Sequence, residues 1–258
     1  MATFQVQVEG LTSLSIGTTP TTAELTQFLT DGAKEVINNL PSNLLTICCA
    51  SQSFTSAAIN NEVEEVDTGK ILAVFAGNYE ARKISSNNKH KANSSTSILY
   101  ATATDPVYYF QNSKLNVLPA LSTCLYEEVQ YPAVAYSAST IASFPDEAEY
   151  LVVLYAACKS LQNAMGAMQA SIVHSDQDGT YGAPTDLNLS TPTGSQGWEQ
   201  VRHWIEREED NELASIQIST LSAELQQFVT EYQWYQGQYT VLKQDYTQGL
   251  AVIKGGGQ

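Results

Sequence analysis

The sequence predicts an α+β protein, in which a helical bundle with a long C-terminal helix carries an inserted small antiparallel β-sandwich or barrel module. Apolar residues recur every three or four positions before residue 42 and again after residue 133, which is the period of an amphipathic helix. Between these segments the apolar period shortens to two, as in a half-buried strand. We therefore divide the chain into 1–42, an N-terminal arm and a helix of the bundle, 43–133, the β module, and 134–258, the remaining helices.

The N-terminal part combines an extended segment with a helix. Apolar and polar residues alternate over residues 3–9, which predicts a half-buried strand or an extended arm. Thr21 or Thr22 is suited to cap the next helix, and Glu24 lies in its first turn, where a carboxylate interacts favourably with the helix dipole. The helical period continues to Pro41, which ends the helix because proline disfavours the helical conformation of the residue before it.

Several short strand-like segments, separated by turn signals, predict the β module. The dipeptides Gly77-Asn78 and Asn112-Ser113 are suited to two-residue turns between paired strands. The predicted strands are residues 46–50, 70–76, 79–84, 97–102, 107–111, 114–118 and 123–130.

A basic segment interrupts the β module. Residues 82–97 contain four of the twelve basic residues and no acid, and the segment is expected to be an exposed hairpin loop. It is either a solvated loop tip or a contact with an acidic neighbour, such as another copy of this acidic chain. Its basic residues are Arg82, Lys83, Lys89 and Lys91.

The helical period returns after residue 133. Residues 143–147, Ser-Phe-Pro-Asp-Glu, combine a cap, an early proline and two acids at the positive end of the helix dipole, which predicts a helix start. A heptad-type apolar seam follows and is expected to lie in the bundle. Residues 173–197 are polar, have little periodicity and predict a long loop. The seam residues are Leu151, Leu154, Cys158, Leu161, Met165 and Met168.

The last segment has the most regular apolar pattern in the chain. From Ile218 to Tyr246 the apolar spacing alternates between three and four, and a helix over 212–248 would be roughly 55 Å long. For its aliphatic half an ordinary core within the chain is as good an explanation as an interface, whereas its aromatic half suits a partly wet interface between chains. We expect this helix to begin near Ser195 and to bend at an acidic cluster. The interface candidates are Phe228, Tyr232, Tyr235, Tyr239 and Tyr246, together with the acids Glu206, Glu208, Glu209 and Asp210.

The charge balance excludes one class of function. The chain has 27 Asp and Glu against 12 Lys and Arg, a formal net charge of -15. Neutralising DNA phosphates requires surplus basic residues, so we do not expect the chain to grip nucleic acid. The densest apolar run, residues 151–157, is too short to cross a membrane, and we expect no membrane partner.

Motifs that carry chemistry are absent from the sequence. It contains no phosphate-binding glycine loop, no HExxH and no GxSxG, and its three histidines are isolated. Its four cysteines lack the spacing of a metal site and are expected to be small buried residues in a reducing compartment. We therefore predict no catalytic residue, no metal, no cofactor and no enzymatic activity.

One segment carries a resemblance to a known group of proteins. Residues 144–165, FPDEAEYLVVLYAACKSLQNAM, resemble the Pro-acid start and LYAA helix of tailed-bacteriophage virion proteins. The order of helix, β insertion and further helices is similar to that of the head-to-tail adaptors, or connectors, of short-tailed phages, especially marine ones. The resemblance implies a ring of about twelve copies, located in the virion and assembled in the host cytoplasm, that joins portal and tail proteins.

The expected function is therefore that of a ring-forming structural protein that lines the DNA exit path without binding DNA specifically. Residues 1–144 carry 12 acids and 7 bases, whereas residues 145–258 carry 15 acids and 5 bases, so the acidic surplus lies mostly in the C-terminal helices. The basic 82–91 segment and the acidic 206–212 cluster are candidate complementary patches of neighbouring copies. The alternatives are another phage component (tail, baseplate or capsid decoration) or a carbohydrate-binding module with exposed Tyr108, Tyr109 and Tyr126.

Overall fold

The computed structural model describes residues 2–54, 70–111, 114–120, 123–177 and 211–255. Within these ranges the chain is a mixed α+β protein with six α-helices, seven strands and a long C-terminal helix, which confirms the predicted class. In chain order the elements are α1 (Phe4–Thr12), α2 (Thr22–Asn39), α3 (Ser42–Leu45), β1 (Cys49–Phe54), β2 (Ile71–Ala76), β3 (Tyr79–Glu80), β4 (Arg82–Lys83), α4 (Lys89–Ala92), β5 (Val107–Gln111), β6 (Lys114–Leu118), β7 (Cys124–Val129), α5 (Asp146–Gln177) and α6 (Asn211–Gly255).

The chain divides into two compact units. The first consists of Met1–Leu29 and Val153–Gln248, and its described elements are all helical. The second consists of Thr30–Val152 and Gly249–Gln258 and contains all the described strands.

The predicted strand or arm over residues 3–9 is wrong, because these residues form most of helix α1. The Thr3 hydroxyl caps the helix by accepting a hydrogen bond from the Val6 backbone N–H at 3.4 Å. Phe4 and Val8 are buried one helical turn apart, whereas Val6 is 54% exposed. Apolar residues at every second position also satisfy a spacing of four, so this short pattern fitted both structures and tertiary burial selected the helix.

Thr21 caps the start of α2, one of the two caps that the sequence predicted, and Glu24 completes a reciprocal capping box with it. The Glu24 N–H donates to the Thr21 hydroxyl at 3.2 Å, and the Thr21 N–H donates to the Glu24 carboxylate at 2.8 Å. These hydrogen bonds from Thr21, with a weaker contribution from Asn163, hold the pKa of Glu24 below its ordinary value of 4.5. Their stabilisation is therefore present above that ordinary value and is lost as the pH falls through the lowered pKa.

Replacing Thr21 by alanine is expected to lower the free energy of unfolding by about 1 kcal/mol, since one end of the box is removed. The midpoint of urea denaturation at neutral pH measures the change. Thr22→Ala is the matched control, because Thr22 is the first helical residue rather than the cap. An equal decrease in the free energy of unfolding in the two variants would show that the capping box makes no specific contribution to stability.

The strands form two sheets whose side chains meet in one apolar cluster. The first sheet has the order β1-β7-β2-β3 with antiparallel neighbours, and the second has the order β4-β5-β6, with β4 parallel to β5. The two sheets do not close into a barrel in the described ranges. The cluster contains Val74, Ala76 and Cys124 from the first sheet, Tyr108, Leu115 and Val117 from the second, and Ala81 between β3 and β4.

A second cluster covers the other face of the β4-β5-β6 sheet. Val107 and Tyr109 of β5 pack there against Ala92 of α4 and Ala101. Successive side chains of a strand point to opposite faces, so β5 contributes Val107 and Tyr109 to one cluster and Tyr108 to the other. The middle of β5 is consequently buried on both faces.

Four predicted strands are confirmed: 70–76, 107–111, 114–118 and 123–130 correspond to β2, β5, β6 and β7. The turn at Gly77-Asn78 is also present, with Ala76 paired to Tyr79 and Gly77 at a φ of 61°, a conformation that glycine adopts without steric cost. Residues 112 and 113 lie outside the described ranges, although their neighbours Gln111 and Lys114 are paired.

The remaining strand predictions need correction. Of residues 46–50 only the last two belong to a strand, because Thr46–Cys48 form a 3-10 turn. The predicted strand 79–84 divides at Ala81, so β3 and β4 belong to different sheets. Residues 97–102 form turns, because the Tyr100 N–H donates to the Ser97 carbonyl at 3.0 Å and the Ala101 N–H donates to the Ala92 carbonyl at 2.9 Å.

The two long helices extend beyond their predicted limits. Helix α5 starts at Asp146, as expected, but runs to Gln177, so the loop predicted for residues 173–197 is wrong over its first five residues. The rest of the predicted loop, residues 178–197, lies outside the described ranges. The predicted start of the last helix near Ser195 and most of the acidic cluster where it was expected to bend lie outside them too. Helix α6 has 45 residues and is about 68 Å long.

Candidate functional site

Cysteines and possible metal ligands are the first candidates for a reactive site within the described part of the chain. No group of three or more His, Cys, Asp or Glu residues is placed there to hold a metal ion. All four cysteines are free thiols, and Cys48, Cys124 and Cys158 are buried. Burial raises the pKa of Cys48 and of Cys158 to about 11, so both remain protonated, weakly nucleophilic thiols at neutral pH.

Two shallow grooves occur in the second unit. The larger groove has a volume of about 480 Å³ and lies beside strand β2, where the short strand β3 pairs only with Phe75 and Ala76. Its lining residues are Leu72, Ala73, Glu80, Ala81, Arg82, Lys83 and Tyr108. The smaller, about 310 Å³, is lined by Pro41, Asn43, Leu44, Glu147, Val252 and Ile253. Neither of these described linings contains the Ser, Cys or His of a nucleophile and its base.

The basic segment is more ordered than the predicted hairpin loop, and that prediction is wrong. Residues 82–101, here called the basic knob, contain β4, a 3-10 turn (Ser86–Asn88), helix α4 and a series of hydrogen-bonded turns. Ala92 and Ala101 are 1% and 4% exposed and cover one face of the β4-β5-β6 sheet. The segment is thus a covering layer of the β module, and its short apolar residues gave no periodic signal from which this could be predicted.

The four basic side chains of the knob are all exposed but differ in their neighbours. Arg82 makes a two-pronged ion pair with Asp105, at 2.6 Å from Nε and 2.7 Å from Nη2. The hydrogen bonds from Arg82 lower the pKa of the Asp105 carboxyl. Lys83 lies over the Phe110 ring at 5.4 Å, and Lys89 Nζ donates to the Gln111 side chain at 3.0 Å. The Arg82 charge is therefore neutralised locally, whereas Lys83, Lys89 and Lys91 present exposed positive charges that no ion pair neutralises within the described residues.

The knob also presents an apolar side chain that sequence reasoning missed. Ile98 is 98% exposed, and Tyr100 beside it is 40% exposed. The Ser97 N–H donates to the Ser94 carbonyl at 2.9 Å, and the Tyr100 N–H donates to Ser97, so local hydrogen bonds hold the turn that carries Ile98. Ile98 lies within the predicted strand 97–102, which the structure replaces with turns. The exposed large side chain within a hydrogen-bonded frame marks a candidate contact residue.

The seam of α5 is buried in its first half. Leu151, Leu154 and Leu161 are at most 3% exposed, and Cys158 is 9% exposed. Met165 and Met168 are half-buried. The seam therefore lies in the core as far as Leu161 and becomes more accessible beyond it.

The aromatic half of the α6 seam packs against α5 within the first unit. The Gln162 side chain donates to the Tyr239 hydroxyl at 3.0 Å, and the rings of Tyr155 and Tyr246 lie 5.9 Å apart. These pairs show that α5 and α6 run antiparallel, with Leu242 buried at 5% exposure. The interface candidates in this seam are all half-buried, namely Phe228, Tyr232, Tyr235, Tyr239 and Tyr246.

Three aliphatic side chains in the first half of α6 are exposed, which favours an interface over a core for this part of the helix. Ile218, Leu225 and Val229, here called the aliphatic stripe, are 38%, 51% and 51% exposed. They are spaced by seven and four residues, which places them along one side of the helix. The sequence pattern predicted an apolar stripe, but only the structure shows which half of it is covered.

The predicted acidic partners Glu206, Glu208, Glu209 and Asp210 lie outside the described residues.

Among the described helices, none combines the length and the apolar character that a membrane crossing requires. The chain matches no protein-family model and no curated protein.

Proposed function

We propose that this chain is a structural virion protein of a tailed phage that forms a ring, joins the portal to the tail as a head-to-tail adaptor, and lines the DNA exit path. The observation that carries the proposal is the aliphatic stripe of α6. Its exposure leaves an apolar helix face for association with other chains. The resemblance of residues 144–165 to phage virion helices supports the choice of an adaptor.

The finer architecture is part of the same proposal. The helices of the first unit would form the bundle of an adaptor, and the two sheets that share an apolar cluster would form its inserted β-sandwich, which is antiparallel except for the short β4–β5 pair. In chain order this β region lies between α2 and α5, as an insertion into a helical protein would.

Electrostatics favour a channel that DNA passes through without being held. The net charge of -15 makes binding through phosphate neutralisation unfavourable. A ring of such chains would repel the duplex from its wall, and one subunit would supply the basic knob for contact with its neighbour.

The decisive measurements are subunit number and position. We expect the purified 28.1 kDa chain to form a ring of about twelve copies in native mass spectrometry, as the resemblance implies, and electron cryo-microscopy to place the ring between portal and tail. A protein that stays monomeric at high concentration and is absent from the portal–tail junction would contradict the proposal. Three, six or many copies elsewhere in the particle would assign a tail, baseplate or decoration role instead.

The carbohydrate-binding alternative loses its sequence basis. Tyr108 and Tyr109, which were expected to be exposed, are only 7% and 6% exposed, and that expectation is wrong. Tyr126 is half-buried and packs against Phe54 with ring centroids 5.8 Å apart. Sugar-binding aromatic platforms need an accessible ring face, so no described tyrosine of this set favours that function.

A further inference from the structure

We propose that the basic knob of one copy docks on the aliphatic stripe of α6 in a neighbouring copy, so that each contact of the ring joins two different surfaces. This inference rests on the proposed ring and names the surfaces that build it. Lys89, Lys91 and Ile98 are the contact residues of the knob, and Leu225 and Val229 are the contact residues of the stripe.

The acceptor surface is apolar, and the stretch of α6 that carries it has an acidic sequence. Between Asn211 and Leu242 the only charged residues are Glu212, Glu224 and Glu231, with no Lys or Arg. Leu225 and Val229 are each 51% exposed on this stretch. An apolar stripe on a stretch of helix that lacks Lys and Arg attracts a partner that brings both a hydrophobic side chain and positive charge.

The knob provides both of these features. Lys89 and Lys91 are exposed on α4, and the turns after α4 carry Ile98. Ala101 is hydrogen-bonded back to Ala92 at 2.9 Å, which ties the turns to the end of α4. The knob is therefore pre-formed, and docking requires little ordering of its backbone.

Charge complementarity identifies the occupant as a second copy. The acidic stretch of α6 would repel the same stretch of another copy, whereas the knob concentrates a third of all basic residues of the chain. The two surfaces differ, so the contact is heterologous, and repetition of a heterologous contact produces a closed ring when the rotation between copies is suitable. Burial of Ile98 against the stripe supplies the apolar centre of the contact.

A charge-exchange experiment tests the pairing. K89E/K91E and E224K/E231K should each weaken self-association by about tenfold or more in sedimentation velocity at low salt, because the knob and the stretch of α6 that carries the stripe then have charges of the same sign. Combining the four substitutions in one chain should restore the wild-type oligomer, since every contact again joins opposite charges. K34E/K254E changes two other exposed lysines by the same charge and should leave association unchanged.

The apolar part is tested separately with I98S and L225S, which should weaken association at all salt concentrations. The circular dichroism spectrum of each variant, compared with that of wild type, shows whether the variant is folded. A loss of association can then be distinguished from unfolding. If the wild-type chain forms rings and the exchange variants assemble as it does, this docking mode is wrong while the adaptor function stands. A wild-type chain that never associates overturns both.

Discussion

Phe4→Ala lowers the free energy of unfolding by about 3–5 kcal/mol, the range for removing a fully buried aromatic ring from a core. Phe4 is 1% exposed and lies in the first turn of α1, one turn before Val8, which is 0% exposed. The surrounding side chains close only partly over the vacated space, so a cavity remains in addition to the lost transfer free energy. The midpoint of urea denaturation, followed by circular dichroism, measures this loss.

Val6→Ala is the matched control on the same helix. Val6 is 54% exposed, and alanine has the higher helix propensity, so its effect should lie within about 0.5 kcal/mol of zero. A large loss for Phe4→Ala with none for Val6→Ala places α1 in the core. If both variants unfold like wild type, α1 does not pack as described, and residues 3–9 would again be interpreted as an arm.

Leu161→Ala has the second largest expected effect, a loss of about 2–5 kcal/mol. Leu161 is 0% exposed on α5, at the point where the buried part of the seam ends. The same denaturation experiment measures it, and the midpoint should fall without a change in the helical signal of the folded protein.

Leu225→Ala removes the same atoms from a side chain that is 51% exposed. Its effect on the unfolding of the unassembled chain should stay within about 0.5 kcal/mol, but it should weaken ring formation because it removes part of the aliphatic stripe. Equal destabilisation by the two leucine substitutions would mean that Leu225 belongs to the core and not to a docking surface.

The predictions that were confirmed depend on local interactions. The predicted cap at Thr21 bonds to Glu24, three residues away, and the helix start at Asp146 depends on the residues beside it. The turn at Gly77-Asn78 requires a backbone conformation that glycine supplies. Such features can be predicted because the atoms involved are close in sequence.

The predictions that were wrong involve segments whose local pattern suits two structures. Residues 3–9 satisfy the spacing of both a strand and a helix, and the burial of Phe4 and Val8 decides between them. Residues 97–102 look like a strand, but their backbone is held in turns and no described strand pairs with them. Only contacts distant in sequence distinguish these outcomes.

For the candidate surfaces, too, some features could be predicted from the sequence and others depend on tertiary contacts. The basic residues of the knob and the apolar spacing of α6 can be read directly from the order of residues. The pairing of Arg82 with Asp105 and the 98% exposure of Ile98 could not, because both depend on how residues 82–105 fold over the β module.

The sequence by itself determined the α+β class, the acidic charge, the positions of the long helices and the two oppositely charged regions, because composition, periodicity and capping are properties of neighbouring residues. The tertiary structure alone decided which half of the α6 seam is covered. Tyr239 and Tyr246 find partners on the antiparallel helix α5, whereas Leu225 and Val229 remain exposed. Burial depends on which elements meet in space, and a periodic pattern specifies an apolar face without specifying the surface that covers it.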